Sequence, residues 1–434
     1  MPGGPFLVCG LARSGQAAAK ALAALGHRVI AVDAASPKGA SALADFGVEV
    51  HLDSSGLELL NGIETLVKSP GVPQSAPVVA AARDAKIGVI GEFELGWILT
   101  DGPVIAVTGT NGKTTCSEMI GHILRSAGVD STVAGNVGTP LTGLVGTPQA
   151  SGSLVLEASS FQLEDSRAFA PEIAVILNIT ADHIDRHGSV QAYRDAKLRI
   201  LANQSRSDYA VLPDRFEAGE SIAAQTVRFG GPESDISEID GYICWHGEPL
   251  IKVGSLQLPG QHNQLNAQAS AAACLLHGVG PELVSTALLS FEGVAHRLET
   301  VAVDRDVRWV NDSKATNVEA AITALRVFDS PVHLIAGGEG KGQDFAPLIG
   351  PIEDHCASVH LIGDSADQLA ELLATASVPT SIDGTLESAV QSCASLASAG
   401  EVVLLAPACA SFDQFADFED RGDSFRELVG GRAS

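Results

Sequence analysis

A phosphate-binding loop between a buried strand and a helix is the feature that most limits how this chain can fold. Residues 104–115 read VIAVTGTNGKTT, and Val104–Val107 form the short apolar run that is typical of a buried parallel strand. Gly109 and Gly112 follow, and glycine permits the left-handed backbone that turns successive N–H groups toward one anion. The helical pattern over Cys116–Ser126 would add the donors of a helix N-terminus. This order predicts binding of nucleotide phosphates.

The residues after the glycines carry the chemistry that such a loop needs. Lys113 would reach the β and γ phosphates, and the Thr114 hydroxyl would bind Mg²⁺. The strict phosphate-loop pattern has a glycine where this chain has Val107. An ordinary Gly-Thr turn that caps a helix is therefore the alternative. Strand, glycines, lysine and hydroxyls in the required order favour nucleotide binding.

Length and composition limit the number of domains and the class of partner. A chain of 434 residues suggests roughly three domains. The net charge of −25 disfavours nucleic acid and anionic membranes as partners, and no apolar run reaches the length of a membrane helix. Seven cysteines without a CxxC pair and the absence of a secretory signal favour a reducing cytoplasm. We expect a cytoplasmic monomer that binds small molecules.

The first 91 residues open like a nucleotide-binding β-α-β unit. A strand over Pro5–Cys9 precedes the turn GLARSG, and a second strand ends at Asp33. The middle glycine of the dinucleotide pattern is Ala12, so a nucleotide-sugar diphosphate fits better than NAD. Asp33 could bind a ribose or uracil, or could be a solvated turn aspartate. The 69–73 loop, SPGVP, could be a rigid turn or a ligand contact, and the pattern leaves both open.

Residues 92–292 place polar side chains at the ends of further strands. Glu157 follows the strand Ser153–Leu156, where a parallel sheet commonly holds a magnesium ligand; a helix-capping acid is the alternative. His183 follows another strand and would contact a metal or a substrate, although a lone histidine is usually a surface or packed residue. Asn136 lies between glycines and could bring its amide close to a ligand.

Two further features of this region stay open on sequence alone. Asn263 and Asn266 are three residues apart and share a helix face, where they could cap the helix or hold an adenine or a phosphate. Residues 208–258 contain several strand-like pieces, and they predict a peripheral antiparallel addition to the sheet.

Residues 293–434 repeat the alternation of strands and helices and predict another doubly wound unit. Asp312 and Lys314 at a strand-to-helix turn could bind ribose, phosphate or an amino-acid carboxylate. Thr316 with Glu319 predicts a capping box. Lys341 lies in a glycine-rich turn and could contact an anion. Ser411 lies at a strand-to-helix switch that could grip a carboxylate.

Nine segments, in order over nearly the whole chain, resemble the Mur ligase family and within it the members that add D-glutamate. These segments are GTNGKTT, EASSFQLE, NITADHIDRHGS, YRDAKLRI, LPGQHNQLNAQAS, HRLE, NDSKATN, GGEGKGQD and PACASFDQFADFEDRG. The resemblance implies an α/β fold of three domains: a Rossmann-like domain at 1–91, a central phosphate-loop ATP-binding domain with a parallel sheet at 92–292, and a Rossmann-like domain at 293–434.

The resemblance also implies an activity and its cofactors. The members that add D-glutamate join it to UDP-N-acetylmuramoyl-L-alanine with ATP and Mg²⁺, through an acyl phosphate, in peptidoglycan synthesis, and the resemblance implies the same reaction here. ATP would be held by Gly109, Thr110, Asn111, Gly112, Lys113, Thr114, Thr115, Asn263, Asn266, His296, Arg297 and Asp312. The metals would be surrounded by Thr114, Glu157, His183 and a carbamylated Lys197. The UDP-sugar would be held by Leu11, Ala12, Asp33, Asn136 and Gln162. D-glutamate would be placed by Thr316, Lys341, Ser411 and Phe418. Lys113, His183 and Lys197 would be catalytic.

The chain departs from the family pattern at two places, and other functions stay open. Ala12 replaces a small hydroxyl residue, and the segment DRHGS at 185–189 differs from a more usual arginine-tyrosine-proline form. Another Mur-type or folylpolyglutamate-type amino-acid ligase is the nearest alternative. Other classes are a phosphate-loop switch or motor, an NAD dehydrogenase and a non-catalytic nucleotide-sugar binder.

Overall fold

The computed structural model describes residues 2–219, 222–258, 260–340 and 342–431, and it divides into two compact units. The first unit is Met1–Phe291 and the second is Glu292–Ser434. The first unit contains two separate sheets and the second contains one. The α/β fold with parallel sheets that the sequence predicts is confirmed, whereas the domain boundaries at 91/92 and 292/293 stay predictions.

The first sheet has five parallel strands in the order β3-β2-β1-β4-β5. Its strands are β1 Phe6–Cys9, β2 Val29–Val32, β3 Glu49–His51, β4 Thr65–Lys68 and β5 Gly88–Gly91, and its helices are α1 Arg13–Ala24 and α2 Pro77–Asp84. The strand order reverses between β1 and β4, so the loops that follow these two strands diverge. Open parallel sheets bind ligands in the crevice at such a point.

The second sheet has nine strands in the order β14-β13-β12-β11-β10-β9-β6-β8-β7. Its strands are β6 Val104–Thr108, β7 Ser131–Gly135, β8 Ser153–Glu157, β9 Ile173–Ile176, β10 Tyr209–Pro213, β11 Gln225–Phe229, β12 Ile236–Ile239, β13 Tyr242–Trp245 and β14 Glu248–Lys252. Its helices are α3 Glu92–Ile98, α4 Lys113–Ser126, α5 Ser160–Glu164, α6 Ile184–His187, α7 Val190–Leu198, α8 Gln261–Leu276 and α9 Pro281–Ser290.

The predicted antiparallel addition over 208–258 is only partly right. β10 and β11 extend the parallel sheet beyond β9, and antiparallel pairing begins only between β12 and β13. Ala210, Val211 and Leu212 of β10 are buried, and strands buried on both faces are typical of parallel sheets. This burial is the physical reason that β10 joins the parallel core.

The sheet of the second unit has six strands in the order β15-β16-β20-β17-β18-β19. They are β15 Glu299–Asp304, β16 Val307–Asn311, β17 Val332–Gly337, β18 Cys356–Ile362, β19 Thr380–Gly384 and β20 Val402–Leu405. The helices are α10 Val318–Leu325, α11 Ile349–His355, α12 Ala366–Leu373, α13 Leu386–Leu396 and α14 Phe418–Gly430. Among the described strands of this sheet, only the β15–β16 pair is antiparallel. The predicted doubly wound alternation therefore has an antiparallel strand at one edge.

One predicted helix start and one predicted helix cap are wrong. α4 begins at Lys113, three residues before the predicted Cys116, because the phosphate loop already ends at the left-handed Gly112, at φ 84°. α10 is capped by Asn317, whose side chain accepts from the Ala320 N–H, so the predicted capping box with Thr316 is not formed. Among the described residues, none of the helices combines the length and apolar character needed to cross a membrane.

Candidate active site

The phosphate loop is a tight four-residue connection between β6 and α4. A Cβ on Gly112 would lie 2.5 Å from Asn266 Oδ1, and the residue is left-handed, so glycine is required there. Lys113 Nζ donates to the carbonyl oxygens of Gly109 at 2.9 Å and Thr110 at 2.8 Å. The lysine side chain thus lies across the phosphate loop, where it would neutralise the charge of bound phosphates.

Asn178 holds the loop in this shape, and sequence reasoning gave it no role. Its Oδ1 accepts from the backbone N–H groups of Thr110 at 3.0 Å and Asn111 at 2.9 Å, and its Nδ2 donates to Asn111 O at 3.1 Å. Thr110 Oγ1 also lies 3.1 Å from the Tyr193 hydroxyl. The available signal was a polar amide directly after the buried strand β9.

Glu157 ends β8 beside the phosphate loop and is 2% exposed. Its Oε2 accepts from Thr114 Oγ1 at 2.6 Å, and its Oε1 accepts from Asn136 Nδ2 at 2.9 Å. The alternative of a helix-capping acid is wrong, because Ser159 caps α5 and Gln162 completes the capping box. Glu157 thus connects two groups of polar residues, one in the phosphate loop and one in the first-sheet cavity described below.

Lys197 of α7 points into the same centre and is 1% exposed. Its Nζ donates to Gly109 O at 2.7 Å and lies 4.7 Å from the centre of the Tyr193 ring. Burial is the main cause that lowers the pKa of Lys197 to about 7; the nearby Lys113 contributes to the shift, and Asp182 and Glu157 oppose it. The amine is therefore partly neutral near pH 7, and a neutral amine can react with carbon dioxide.

His183 lies at the more exposed edge of this centre. Its backbone is left-handed at φ 50°, its ring centre is 4.9 Å from that of Phe161, and its Nε2 is 3.4 Å from Asp182 Oδ2. Among the described residues, no group of three or more His, Cys, Asp or Glu side chains is arranged to hold a metal ion. The donors around Glu157 suit a cation that takes few protein ligands and completes its shell with phosphate and water, as Mg²⁺ does.

Asn263 and Asn266 are both 5% exposed on α8. Gly260 occupies the N-cap position of this helix, so the capping alternative for the two asparagines is wrong. Asn266 Nδ2 donates to Asn263 Oδ1 at 3.3 Å, and Asn266 lies against Gly112. The pair therefore stands beside the phosphate loop, where the resemblance expects nucleotide ligands.

A cavity of about 460 Å³ opens at the switch point of the first sheet. It is lined by Gly10, Ala12, Arg13, Ser14, Asp33, Ser69, Pro70, Gly71, Val72, Gly135, Asn136, Gly138, Pro140 and Gln162. Four of the five expected UDP-sugar residues are thus brought together. The exception is Leu11, whose side chain is fully buried in the core and whose N–H donates to Asp33 Oδ2 at 2.5 Å. Asn136 is shared between this cavity and Glu157.

The second unit gathers part of the remaining expected residues near the end of β16. His296 Nδ1 lies 3.0 Å from Asn311 Nδ2, and the Phe418 ring centre lies 6.3 Å from the His296 ring centre. Burial raises the pKa of Asp312 to about 6, and Arg297 opposes the shift. Ser411 is 2% exposed. Lys341 lies outside the described residues, and Thr316 does not cap α10.

Arg421 is a fully buried cation of the second unit, and sequence reasoning did not single it out. It donates to Ser313 Oγ and O at 3.0 and 2.9 Å, to Cys409 O at 3.0 Å and to Ala410 O at 3.2 Å. Burial lowers its pKa to about 10. The guanidinium thus braces the backbone next to Ser411, and a lone arginine after an acidic run gave little signal of that.

Three family models match successive parts of the chain. The Mur ligase MurD-like N-terminal domain matches residues 5–91, the Mur ligase middle domain matches 107–274, and the Mur ligase glutamate ligase domain matches 296–409.

Curated relatives that match this chain over nearly its full length share one name. The UDP-N-acetylmuramoylalanine–D-glutamate ligase of Myxococcus xanthus is 41% identical over 453 residues, covering 99% of this chain and 98% of the relative. That of Caldanaerobacter subterraneus subsp. tengcongensis is 37% identical over 436 residues, covering 97% of each.

Solved structures share the fold at low identity. UDP-N-acetylmuramate–alanine ligase MurC from Thermotoga maritima superposes with a TM-score of 0.63 at 20% identity, covering 98% of this chain and 99% of that one. MurF ligase from the same organism, in complex with ADP, gives 0.62 at 18% identity over 94% and 96%. By its domain models and its relatives, this chain belongs to the Mur ligase family, in the group of UDP-N-acetylmuramoylalanine–D-glutamate ligases.

Proposed function

We propose that this chain uses ATP to join D-glutamate to UDP-N-acetylmuramoyl-L-alanine, as a cytoplasmic step of peptidoglycan precursor synthesis in cell-wall biogenesis. The observation that carries the proposal is the position of Glu157, which accepts hydrogen bonds both from Thr114, in the helix turn that follows the phosphate loop, and from Asn136 of the first-sheet cavity. A nucleotide-sugar in that cavity and ATP on that loop would bring a carboxylate and a γ-phosphate toward one buried carboxylate. The names of the relatives supply the identity of the two substrates.

The reaction needs activation because an amine does not displace oxide from a carboxylate at a useful rate. The L-alanyl carboxylate attacks the γ-phosphorus of ATP, and ADP leaves to give an acyl phosphate. The amine of D-glutamate then attacks the acyl carbon, loses a proton, and expels phosphate. Lys113 neutralises the charge that develops on the transferred phosphoryl group, and the N–H groups of the loop orient it.

The residues around Glu157 fit Mg²⁺, which the family's use of ATP calls for. The hydroxyl of Thr114 and the carboxylate of Glu157 would hold it, and when bound it would neutralise phosphate charge. Lys197 fits the expected modification, because its buried amine has a pKa of about 7. The amine would attack carbon dioxide and release a proton, which would convert a cation into a carboxylate near Glu157. His183 would orient the reacting groups from the exposed side.

We propose that the regions 1–91, 92–292 and 293–434 each bind different substrate groups. The first would bind the UDP-sugar through Ala12, Asp33, Asn136 and Gln162, with Leu11 contributing its backbone. The second would bind ATP phosphates. The third would supply His296, Arg297 and Asp312 to the nucleotide, and Thr316, Lys341, Ser411 and Phe418 to D-glutamate. A monomer suffices for this arrangement.

A phosphate-release assay tests the function directly. The chain is given ATP, Mg²⁺ and UDP-N-acetylmuramoyl-L-alanine, and the amino acid is varied. Release that requires D-glutamate and is abolished by Lys113→Ala supports the proposal. Release with no dependence on any amino acid points to a switch or motor, and release with another amino acid points to a different ligase. Binding without release points to a non-catalytic nucleotide-sugar binder.

A further inference from the structure

The 69–73 loop forms one wall of the first-sheet cavity, and two cations bond its carbonyl oxygens. Arg186 donates from Nη2 to Pro70 O at 2.8 Å and to Val72 O at 2.9 Å, and from Nη1 to Gly71 O at 3.2 Å. Lys68 Nζ donates to the same Val72 oxygen at 2.7 Å. Hydrogen bonds from charged donors are stronger than neutral ones, so these contacts fix the cavity wall.

Lys68 anchors the loop from the side of the first sheet. Its Nζ lies 2.7 Å from Asp165 Oδ2, and both side chains are buried. Asp165 Oδ1 in turn accepts from Gln74 Nε2 at 2.7 Å. This end of the loop is therefore attached to a buried ion pair.

Arg186 connects the loop to the segment that carries His183. It lies on α6, which is four residues long and runs between left-handed residues at His183 and Gly188. The Arg186 guanidinium lies 4.5 Å from the centre of the Phe161 ring, and the His183 ring centre is 4.9 Å from the same ring. A helix this short has little stability of its own, and a left-handed histidine persists only where its surroundings hold it.

We propose that Arg186 is a positioning residue that couples the wall of the nucleotide-sugar cavity to His183. A ligand that presses on the 69–73 loop would fix Arg186, and Arg186 would fix α6 and the Phe161 ring that packs on His183. This inference rests on the proposed function, because it takes the cavity ligand to be UDP-N-acetylmuramoyl-L-alanine. This role needs a guanidinium instead of an ammonium group, because one planar group with several N–H donors bonds three carbonyl oxygens.

The test compares Arg186→Met and Arg186→Lys with Arg194→Met as the matched control. Arg194 of α7 also stacks on a phenylalanine, at 4.9 Å from the Phe216 ring centre, and donates to a backbone carbonyl, that of Glu217. It does not line the cavity. The measurements are initial rates of phosphate release, the KM for ATP, the melting temperature, and amide hydrogen exchange with and without UDP-N-acetylmuramoyl-L-alanine.

We expect Arg186→Met to lower kcat by about 10- to 100-fold, because misplacing a group near the reacting atoms has costs of that size, and to leave the KM for ATP unchanged. Arg186→Lys keeps the charge and is intermediate, and Arg194→Met behaves as the parent. In the parent chain the nucleotide-sugar slows exchange in peptides covering 69–73 and 184–188. In Arg186→Met the nucleotide-sugar slows exchange in the peptides covering 69–73 but not in those covering 184–188.

Each result bears on one idea. A parent chain that shows no D-glutamate-dependent phosphate release refutes the proposed function. A parent chain that is active, with Arg186→Met equal to it in kcat or with protection still reaching 184–188, refutes the coupling alone. If the melting temperature shows that Arg186→Met is unfolded under the assay conditions, kcat and hydrogen exchange are compared between the parent chain and Arg186→Lys.

Discussion

Thr114 Oγ1 donates a 2.6 Å hydrogen bond to Glu157 Oε2, which joins the first turn of the phosphate-loop helix to the end of β8. Asn136 extends this connection to the first-sheet cavity. The same carboxylate therefore accepts a hydrogen bond from one residue of each candidate substrate site of the first unit.

Replacing Glu157 by Gln should lower kcat for phosphate release by about 100-fold, because an amide lacks the charge that would hold Mg²⁺ beside the phosphates. The fold should persist, since the amide has nearly the same shape. Glu172→Gln is the control: Glu172 accepts from Val104 N–H at the opposite end of β6. Equal rates for the two variants across a Mg²⁺ titration would contradict the role of Glu157.

Gly112→Ala should weaken ATP binding at least about tenfold and destabilise the chain by about 2 kcal/mol or more, because φ is positive and Asn266 Oδ1 blocks the Cβ. Gly128, at φ 77° after the other end of α4, has open space around its Cβ position. Gly128→Ala should therefore cost only about 1 kcal/mol and leave ATP binding intact. Fluorescent-nucleotide titration and urea unfolding measure both effects.

Lys197 should carry a carbamate in the active protein. With a pKa of about 7, roughly half of its amine is neutral at pH 7, whereas an ordinary lysine of pKa 10.5 is about one part in three thousand neutral. Adding ¹³C-labelled bicarbonate should give one carbamate NMR signal that grows as pH rises through 7 and is absent in Lys197→Met. A signal that persists in the variant would assign the modification elsewhere.

The same lysine should affect stability with a defined sign. Between about pH 7 and 10.5 the unfolded chain binds a proton at Lys197 that the folded chain does not, so this residue's contribution to stability rises with pH across that window. In buffer free of carbon dioxide, Lys197→Met should raise the melting temperature at pH 6.5, and the gain should shrink toward pH 10. Lys252→Met removes an exposed lysine and should show no such trend.

Arg421→Lys should raise the KM for D-glutamate by about tenfold and leave the KM for ATP unchanged, because one ammonium cannot satisfy the carbonyls of Ser313, Cys409 and Ala410 together. Hydrogen exchange in 407–415 should rise in parallel. Arg426→Lys is the control, since Arg426 pairs with Glu299 at a half-exposed site. An unchanged KM for D-glutamate with faster exchange would limit Arg421 to a structural role.

Local patterns predicted the parts of the fold that are decided locally. The phosphate loop follows from adjacent residues, because strand, glycines and helix are consecutive. The pairing of β10 with β9 could not be read in the same way, since it depends on burial by distant residues. Asn317 caps α10 in place of Thr316, because the helix starts one residue later than the capping-box pattern requires and the cap is the residue directly before the helix.

The sequence predicted which residues form the candidate site better than it predicted which of their atoms make the contacts. Leu11 lies at the expected place but turns its side chain into the core. Asn178 and Arg421 bond the backbone of Asn111 and Ser313, which are distant in the sequence, and no spacing rule marks such contacts.

The orientation of the Asn136 amide has a consequence for inhibitor chemistry. Its nitrogen donates to the Glu157 carboxylate, so its carbonyl oxygen is the atom that would accept a hydrogen bond from a cavity ligand. A compound that brings an N–H or hydroxyl group to that point will be matched, and one that brings a carbonyl will be repelled.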